Sequence, residues 1–109
     1  ARRTDQRRIS ETIRRIEDDL TQRFTLTDLA REAGMSRYHF LRVFREVAGV
    51  TPHQFVLRRR LHRAAVRLRK SDEPVSAIDF EEGFDDRSSF NRRFRSAMGA
   101  NPTAWRAER

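Results

Sequence analysis

The chain has 109 residues, 37% of them charged and 37% hydrophobic, with 24 Lys and Arg against 16 Asp and Glu. That length allows one compact domain or two very small units, and the short apolar stretches exclude a transmembrane span and favour a soluble globular domain. The lack of Cys excludes disulfides, thiolate nucleophiles and cysteine zinc sites and fits a cytoplasmic protein, while the formal charge of +8 favours nucleic acid or an acidic membrane surface as partner.

Lys70 is the only lysine, and the other cations are Arg, whose planar fork pairs bidentately with phosphate and guanine. A GC-rich genome raises Arg as well, so pattern has to decide. The chain starts at Ala1 rather than Met, as a piece of a longer regulator would, and no signal peptide is legible. The leading ARRTDQRR reads as a linker remnant in preference to a flexible arm that adds phosphate contacts.

Ile9, Ile13, Ile16 and Leu20 recur at helical spacing and predict a first amphipathic helix. Thr25 with Asp28 reads as the cap of a short second helix that Gly34 ends. Ser36 caps a third, whose inward stripe is Phe40, Val43, Phe44 and Val47 and which stops at Gly49. In TPHQ, Thr51 caps, Pro52 takes the first helical position and Gln54 reaches back. A basic helix of about 28 Å follows to Lys70, with Leu57, Leu61, Ala64 or Ala65, and Leu68 on one face. Val75 and Ile78 open a fifth helix ending at Gly83, Asp86 caps a sixth carrying Phe90 and Phe94, and NPTAW opens a seventh. The fold class is all-α.

The chain also repeats itself. RVFREVAGVTPHQF (42–55) returns as RRFRSAMGANPTAW (92–105), at an offset of 50, whereas Leu29 to Ile78 and Gly34 to Gly83 stand at 49. One residue is therefore added in the second turn. Each copy is a short helix, a Gly-containing turn and a second helix, the helix-turn-helix arrangement that sets its second helix in the major groove. Opposite the inward stripe of the third helix lie Tyr38, Arg42 and Arg45, with Arg37 at its start. In the sixth helix Ser88, Arg92 and Arg95 face outward, with Arg87 and Asn91 near the N-terminal end. Arg bridges guanine O6 and N7, Asn and Ser read base edges or phosphates, and Tyr packs on thymine methyls or sugars. These nine residues are the candidate DNA-binding set.

On residues 26–61, LTDLAREAGMSRYHFLRVFREVAGVTPHQFVLRRRL, and 77–105, AIDFEEGFDDRSSFNRRFRSAMGANPTAW, the chain resembles the DNA-binding domain of AraC/XylS transcription regulators. The resemblance implies two helix-turn-helix units bridged by one helix, reading successive major grooves on one side of the duplex. It carries base-facing roles to Tyr38, Arg42, Arg87, Ser88 and Arg92. Residues 1–109 then form one such domain, with a first unit at 5–50, a linker helix at 51–70 and a second unit at 71–109. Asp79 departs from the small Ala expected there and held by Ala30 in the first copy; an ion pair with Arg93, which replaces Val43, is expected to compensate.

Seven acidic residues fall between Ser71 and Asp86 with no basic one, and they read as a solvated face or helix caps rather than acid-base machinery. The resemblance also allows such a face to touch RNA polymerase. His39, His53 and His62 lack metal-pair spacing and read as surface residues; Met35 and Met98 read as packing, and Trp105, in the place of Phe55, as a core seal. No cofactor or metal is expected, and no enzyme. The reading is sequence-specific binding of double-stranded DNA that regulates transcription, in a bacterial cytoplasm, with any effector or dimerisation domain outside this chain. If the connecting helix holds the two recognition helices closer than the groove repeat of about 34 Å, the DNA has to bend. The alternative is peripheral binding to an anionic membrane through the basic amphipathic helix 52–70. With Phe55 its only aromatic anchor, that helix fits a linker better than a membrane surface, so no membrane partner is expected.

Overall fold

The computed structural model describes residues 2–109. Among them are seven α-helices and no strand: α1 (Arg3–Asp18), α2 (Leu26–Glu32), α3 (Arg37–Ala48), α4 (Pro52–Lys70), α5 (Val75–Glu81), α6 (Arg87–Met98) and α7 (Pro102–Ala107). The chain divides into two compact units, the first running to Leu57 and the second from Arg58, so the boundary falls inside α4.

Side-chain caps set the starts of α2, α3, α4, α6 and α7. The Thr25 and Ser36 hydroxyls accept from the amides of Asp28 and His39, and Asp86 and Asn101 accept from those of Ser88 and Ala104. At α4 the box is reciprocal: Thr51 Oγ1 accepts from Gln54 N at 3.2 Å, and Gln54 Oε1 from Thr51 N at 3.0 Å. The two hairpin turns are built alike. Met35 N donates to Ala30 O and Gly34 N to Arg31 O; Phe84 N donates to Asp79 O and Gly83 N to Phe80 O. This pairing needs a left-handed residue after the helix, and Gly34 (φ +69°) and Gly83 (φ +92°) supply it without a Cβ clash.

In the first unit Ile9, Ile16, Leu29, Ala30, Phe40, Val43, Phe44 and Val56 form the core. In the second, Leu61, Ala64, Ala65, Leu68, Ile78, Phe90 and Phe94 are buried. The aromatic rows match in detail. Phe40–Phe44 and Phe44–Phe55 centroids lie 5.7 and 5.9 Å apart at 43° and 81°, and Phe90–Phe94 and Phe94–Trp105 lie 5.5 and 6.1 Å apart at 46° and 79°. Trp105 does seal its core, donating from Nε1 to Ala65 O at 2.9 Å beneath the Arg69 guanidinium.

The repeat runs further than the hairpins. Buried Leu61, Ala64 and Leu68 of α4 take the places of buried Ile9, Thr12 and Ile16 of α1, at an offset of 52. Arg8 lies against Gly34 and Arg60 against Gly83, and Arg15 pairs with Glu32 as Arg67 pairs with Glu81. So α4 opens the second unit as α1 opens the first. Its apolar residues pack into the two cores, Val56 and Phe55 into the first and Leu61, Ala64, Ala65 and Leu68 into the second, and nothing supports a membrane-binding role for the helix. No helix among the described residues is long and apolar enough to cross a membrane.

Three sequence expectations need correction here. Val47 is 39% exposed and lies outside the α3 core stripe, which Phe40, Val43 and Phe44 make up. Residues 3–8 of the leading segment are helical, not a linker remnant: Asp5 bonds His39 and Arg8 donates to Ala33 O, while Ala1 lies outside the described residues. Asp79 is 3.8 Å from Arg87, not paired with Arg93, whose Nε donates to Ser89 one helical turn back.

Candidate nucleic-acid interface

Helix α3 turns Phe40, Val43 and Phe44 inward, so residues at the complementary spacing point to water. Arg37, Tyr38, Arg42 and Arg45 are all exposed, Tyr38 to 79%. The order Tyr38, Arg42, Arg45 follows steps of four and three and makes a single stripe. Helix α6 buries Phe90 and Phe94 and leaves Arg87, Ser88, Asn91, Arg92 and Arg95 exposed. Ser88, Arg92 and Arg95 repeat the α3 stripe, while Arg87 and Asn91 line a shallow groove on the flank of α6 with Val75, Ser76 and Asn101. All nine candidate side chains are thus accessible, grouped on two helices of equal length that each start at a side-chain cap.

An exposed aromatic and several solvated guanidinium groups cost little to display and gain nothing from the core. Electrostatics sharpen the picture, because much of the remaining charge is consumed inside the second unit. Arg67 donates to Glu73 through Nε (2.8 Å) and Nη2 (2.7 Å), and reaches Glu81 at 3.0 Å and Glu82 at 3.3 Å. The bond to Glu73 chiefly holds Arg67 in its charged form, raising its pKa against the lowering effect of burial, with Glu81 adding to the rise. In return Arg67 holds the Glu73 carboxyl below the usual carboxylate range, partly offset by desolvation. Arg63 pairs with Glu82 at 3.3 Å, and Arg109 keeps Asp72 ionised and its pKa lowered.

The acidic run is therefore not simply a solvated face. Glu82 is 3% exposed where the first unit has Ala33, and it is buried because Arg63 and Arg67 compensate it. Spacing along α4 alone does not show this, since the partners lie on α5. His39 is likewise more than a surface residue: it is half-buried and bonds both Asp5 and Arg42. No cluster of His, Asp or Glu suited to a metal ion occurs among the described residues.

Two equivalent hairpins, each exposing one cation-rich, hydrogen-bonding helix face, define a double helix-turn-helix DNA-binding domain. Comparison with known proteins agrees. A family model described as a helix-turn-helix domain matches residues 29–108. The HTH-type transcriptional activator AarP of Providencia stuartii is 36% identical over 98 residues, which cover 90% of this chain and 73% of AarP. The crystal structure of the AdpA DNA-binding domain in complex with a target DNA superposes with a TM-score of 0.85 at 31% identity, covering 92% of this chain and 90% of that one. An AraC-type regulator from Chromobacterium violaceum gives 0.86 at 25% identity, covering 94% and 92%. The chain belongs to the AraC/XylS family of helix-turn-helix transcription regulators, and its activity is DNA binding in the control of transcription.

Proposed function

We propose that the chain binds duplex DNA sequence-specifically through α3 and α6, each lying in a major groove, with residues 1–109 acting as one domain. The observation that carries this is the pair of matching exposed stripes, Tyr38–Arg42–Arg45 and Ser88–Arg92–Arg95, on helices whose opposite faces are fully committed to two like cores. Arg42 and Arg92 take the central base contacts; Arg37, Arg45, Arg87 and Arg95 serve bases or phosphates at the edges, and Ser88, Asn91 and Tyr38 add hydrogen bonds and apolar contact. The chain performs no catalysis in this reading and acts in the bacterial cytoplasm, where its target lies. Any effector sensing or dimerisation would belong to segments outside it. A contact with RNA polymerase would use exposed carboxylates of the acidic run.

Selection of preferred duplexes from a random pool tests specificity and half-site spacing together. Two conserved half-sites should emerge. Against the selected duplex, Arg42→Ala and Arg92→Ala should each cost about 1 to 3 kcal/mol and relax preference at different positions. Equal losses on every sequence would reduce both residues to phosphate contacts.

A further inference from the structure

Helix α1 reaches the exposed face of α3 through a short chain of side chains. Asp5 Oδ2 lies 2.9 Å from His39 Nε2, and Arg42 Nη2 lies 3.2 Å from His39 Nδ1. The donor inventory fixes the roles. A guanidinium has no acceptor, so Nδ1 must offer its lone pair; an ionised carboxylate has no donor, so Nε2 must carry the proton. Both bonds exist together only in the neutral Nε2–H tautomer. Asp5 selects that tautomer and fixes the ring, which in turn fixes one nitrogen of Arg42.

We propose that His39, anchored by Asp5, is a positioning residue that holds the Arg42 guanidinium in the orientation needed for its base contact. The proposal rests on the reading of Arg42 as a base-contacting residue. The gradient of exposure suits the role: the Asp5 side chain is 16% exposed, His39 36% and Arg42 54%, so the support is sheltered while the working end stays in water. The neutral ring suits it too. A carboxylate bonded directly to Arg42 would cancel the charge that DNA is to meet, whereas an imidazole lone pair orients the fork and leaves the charge intact. Glu46 forms an ion pair with Arg42 at 3.8 Å, beyond hydrogen-bond reach, so it does not orient the fork as the ring nitrogen does. The second unit lacks the device. Ser89 occupies the place of His39 and accepts from Arg93, so it does not hold Arg92.

The test is a double-mutant cycle on the full chain, with binding measured on the selected duplex and on its single-base-pair variants. His39→Ala should weaken the selected duplex about 3- to 10-fold, a usual coupling between groups in contact. The loss should concentrate at the base pair whose preference Arg42→Ala relaxes, and it should vanish in the Arg42→Ala background. The salt dependence should stay unchanged, because no phosphate contact is removed. His39→Asn, which keeps an acceptor near the position of Nδ1, should recover most of the affinity, and Ser89→Ala should leave discrimination unchanged. Melting followed by circular dichroism checks folding; if His39→Ala melts too low, the Asn variant and Asp5→Asn carry the comparison. A His39→Ala loss that persists beside Arg42→Ala, spreads evenly over all sequences or is absent overturns the proposal. If Arg42→Ala itself leaves discrimination untouched, the reading of Arg42 fails before His39 is reached.

Discussion

Asp79 sits 6% exposed at the place where the first unit has Ala30, and its Oδ2 has no hydrogen bond. Desolvation raises its pKa, against the pull of Arg87 and the Phe80 amide. Arg87 is 3.8 Å away and its side chain 64% exposed, so that attraction is worth a few tenths of a kcal/mol, about the low end for a surface pair. Burial therefore wins. Asp79→Ala should stabilise the protein by about 1 kcal/mol at neutral pH in urea unfolding, since the penalty for a poorly paired buried carboxylate exceeds the lost pair. The sign with pH follows from the raised pKa: the native state takes up the Asp79 proton before the unfolded state does. The penalty is thus full at neutral pH and fades as pH falls through the raised native value, and the advantage of the Ala variant should shrink with it. A destabilised Asp79→Ala protein at pH 7 would mean that the carboxylate is better compensated than its geometry shows.

Helices α4 and α5 show a better-compensated acid: Glu82 Oε1 accepts from Arg67, while Oε2 has no hydrogen bond and lies 3.3 Å from Arg63. Arg67 binds Glu73 with both prongs of its fork and also reaches Glu81 and the 4% exposed side chain of Glu82. Removing it strands Glu82 with Arg63 alone, so Arg67→Ala should cost about 2 to 4 kcal/mol, and Arg67→Lys should restore less than half of that because an ammonium cannot hold three carboxylates in this geometry. The lowered pKa of Glu73 gives the pH sense: its contribution is present above the ordinary carboxylate pKa and lost as pH falls through the lower native value. The gap between wild type and Arg67→Lys should therefore close in acid, as read from urea midpoints. Equal stability of the two at pH 7 would contradict the fork. None of this was visible in the linear pattern of α4, which reads only as a basic helix. The helices themselves were legible because their starts are chemical: Thr25, Ser36, Thr51, Asp86 and Asn101 each accept a backbone amide. The exposed stripes were legible because Phe40, Val43, Phe44, Phe90 and Phe94 fix which side of each helix faces in. What escaped were contacts between elements, namely Asp5 with His39, Arg87 with Asp79, and the kinship of α4 with α1 at an offset unlike that of the hairpins. Periodicity registers a face and is silent about what the face meets.

The shared helix has a consequence for the DNA. Helix α4 supplies Phe55 and Val56 to the first core and Leu61, Ala64, Ala65 and Leu68 to the second, and the boundary between the units falls inside it. If α3 and α6 both enter grooves, a connection through one continuous helix should accept only a narrow range of half-site spacings, because any change must be met by deforming either the helix or the duplex. Inserting five base pairs between the selected half-sites turns the second by about half a helical turn, out of a repeat of roughly 10 base pairs, and carries its groove to the far side. Untwisting the duplex that far exceeds what one set of contacts repays, since even smooth bending of a site costs about 1 to 6 kcal/mol. Affinity should fall at least about tenfold, to the level of one half-site, with footprint protection surviving over one half only. A ten-base-pair insertion should not restore it, because the face is regained while the added distance of about 34 Å exceeds the whole length of α4, about 28 Å. Unchanged affinity on the five-base-pair duplex would show that the two heads engage independently, and that α4 joins them without setting their register.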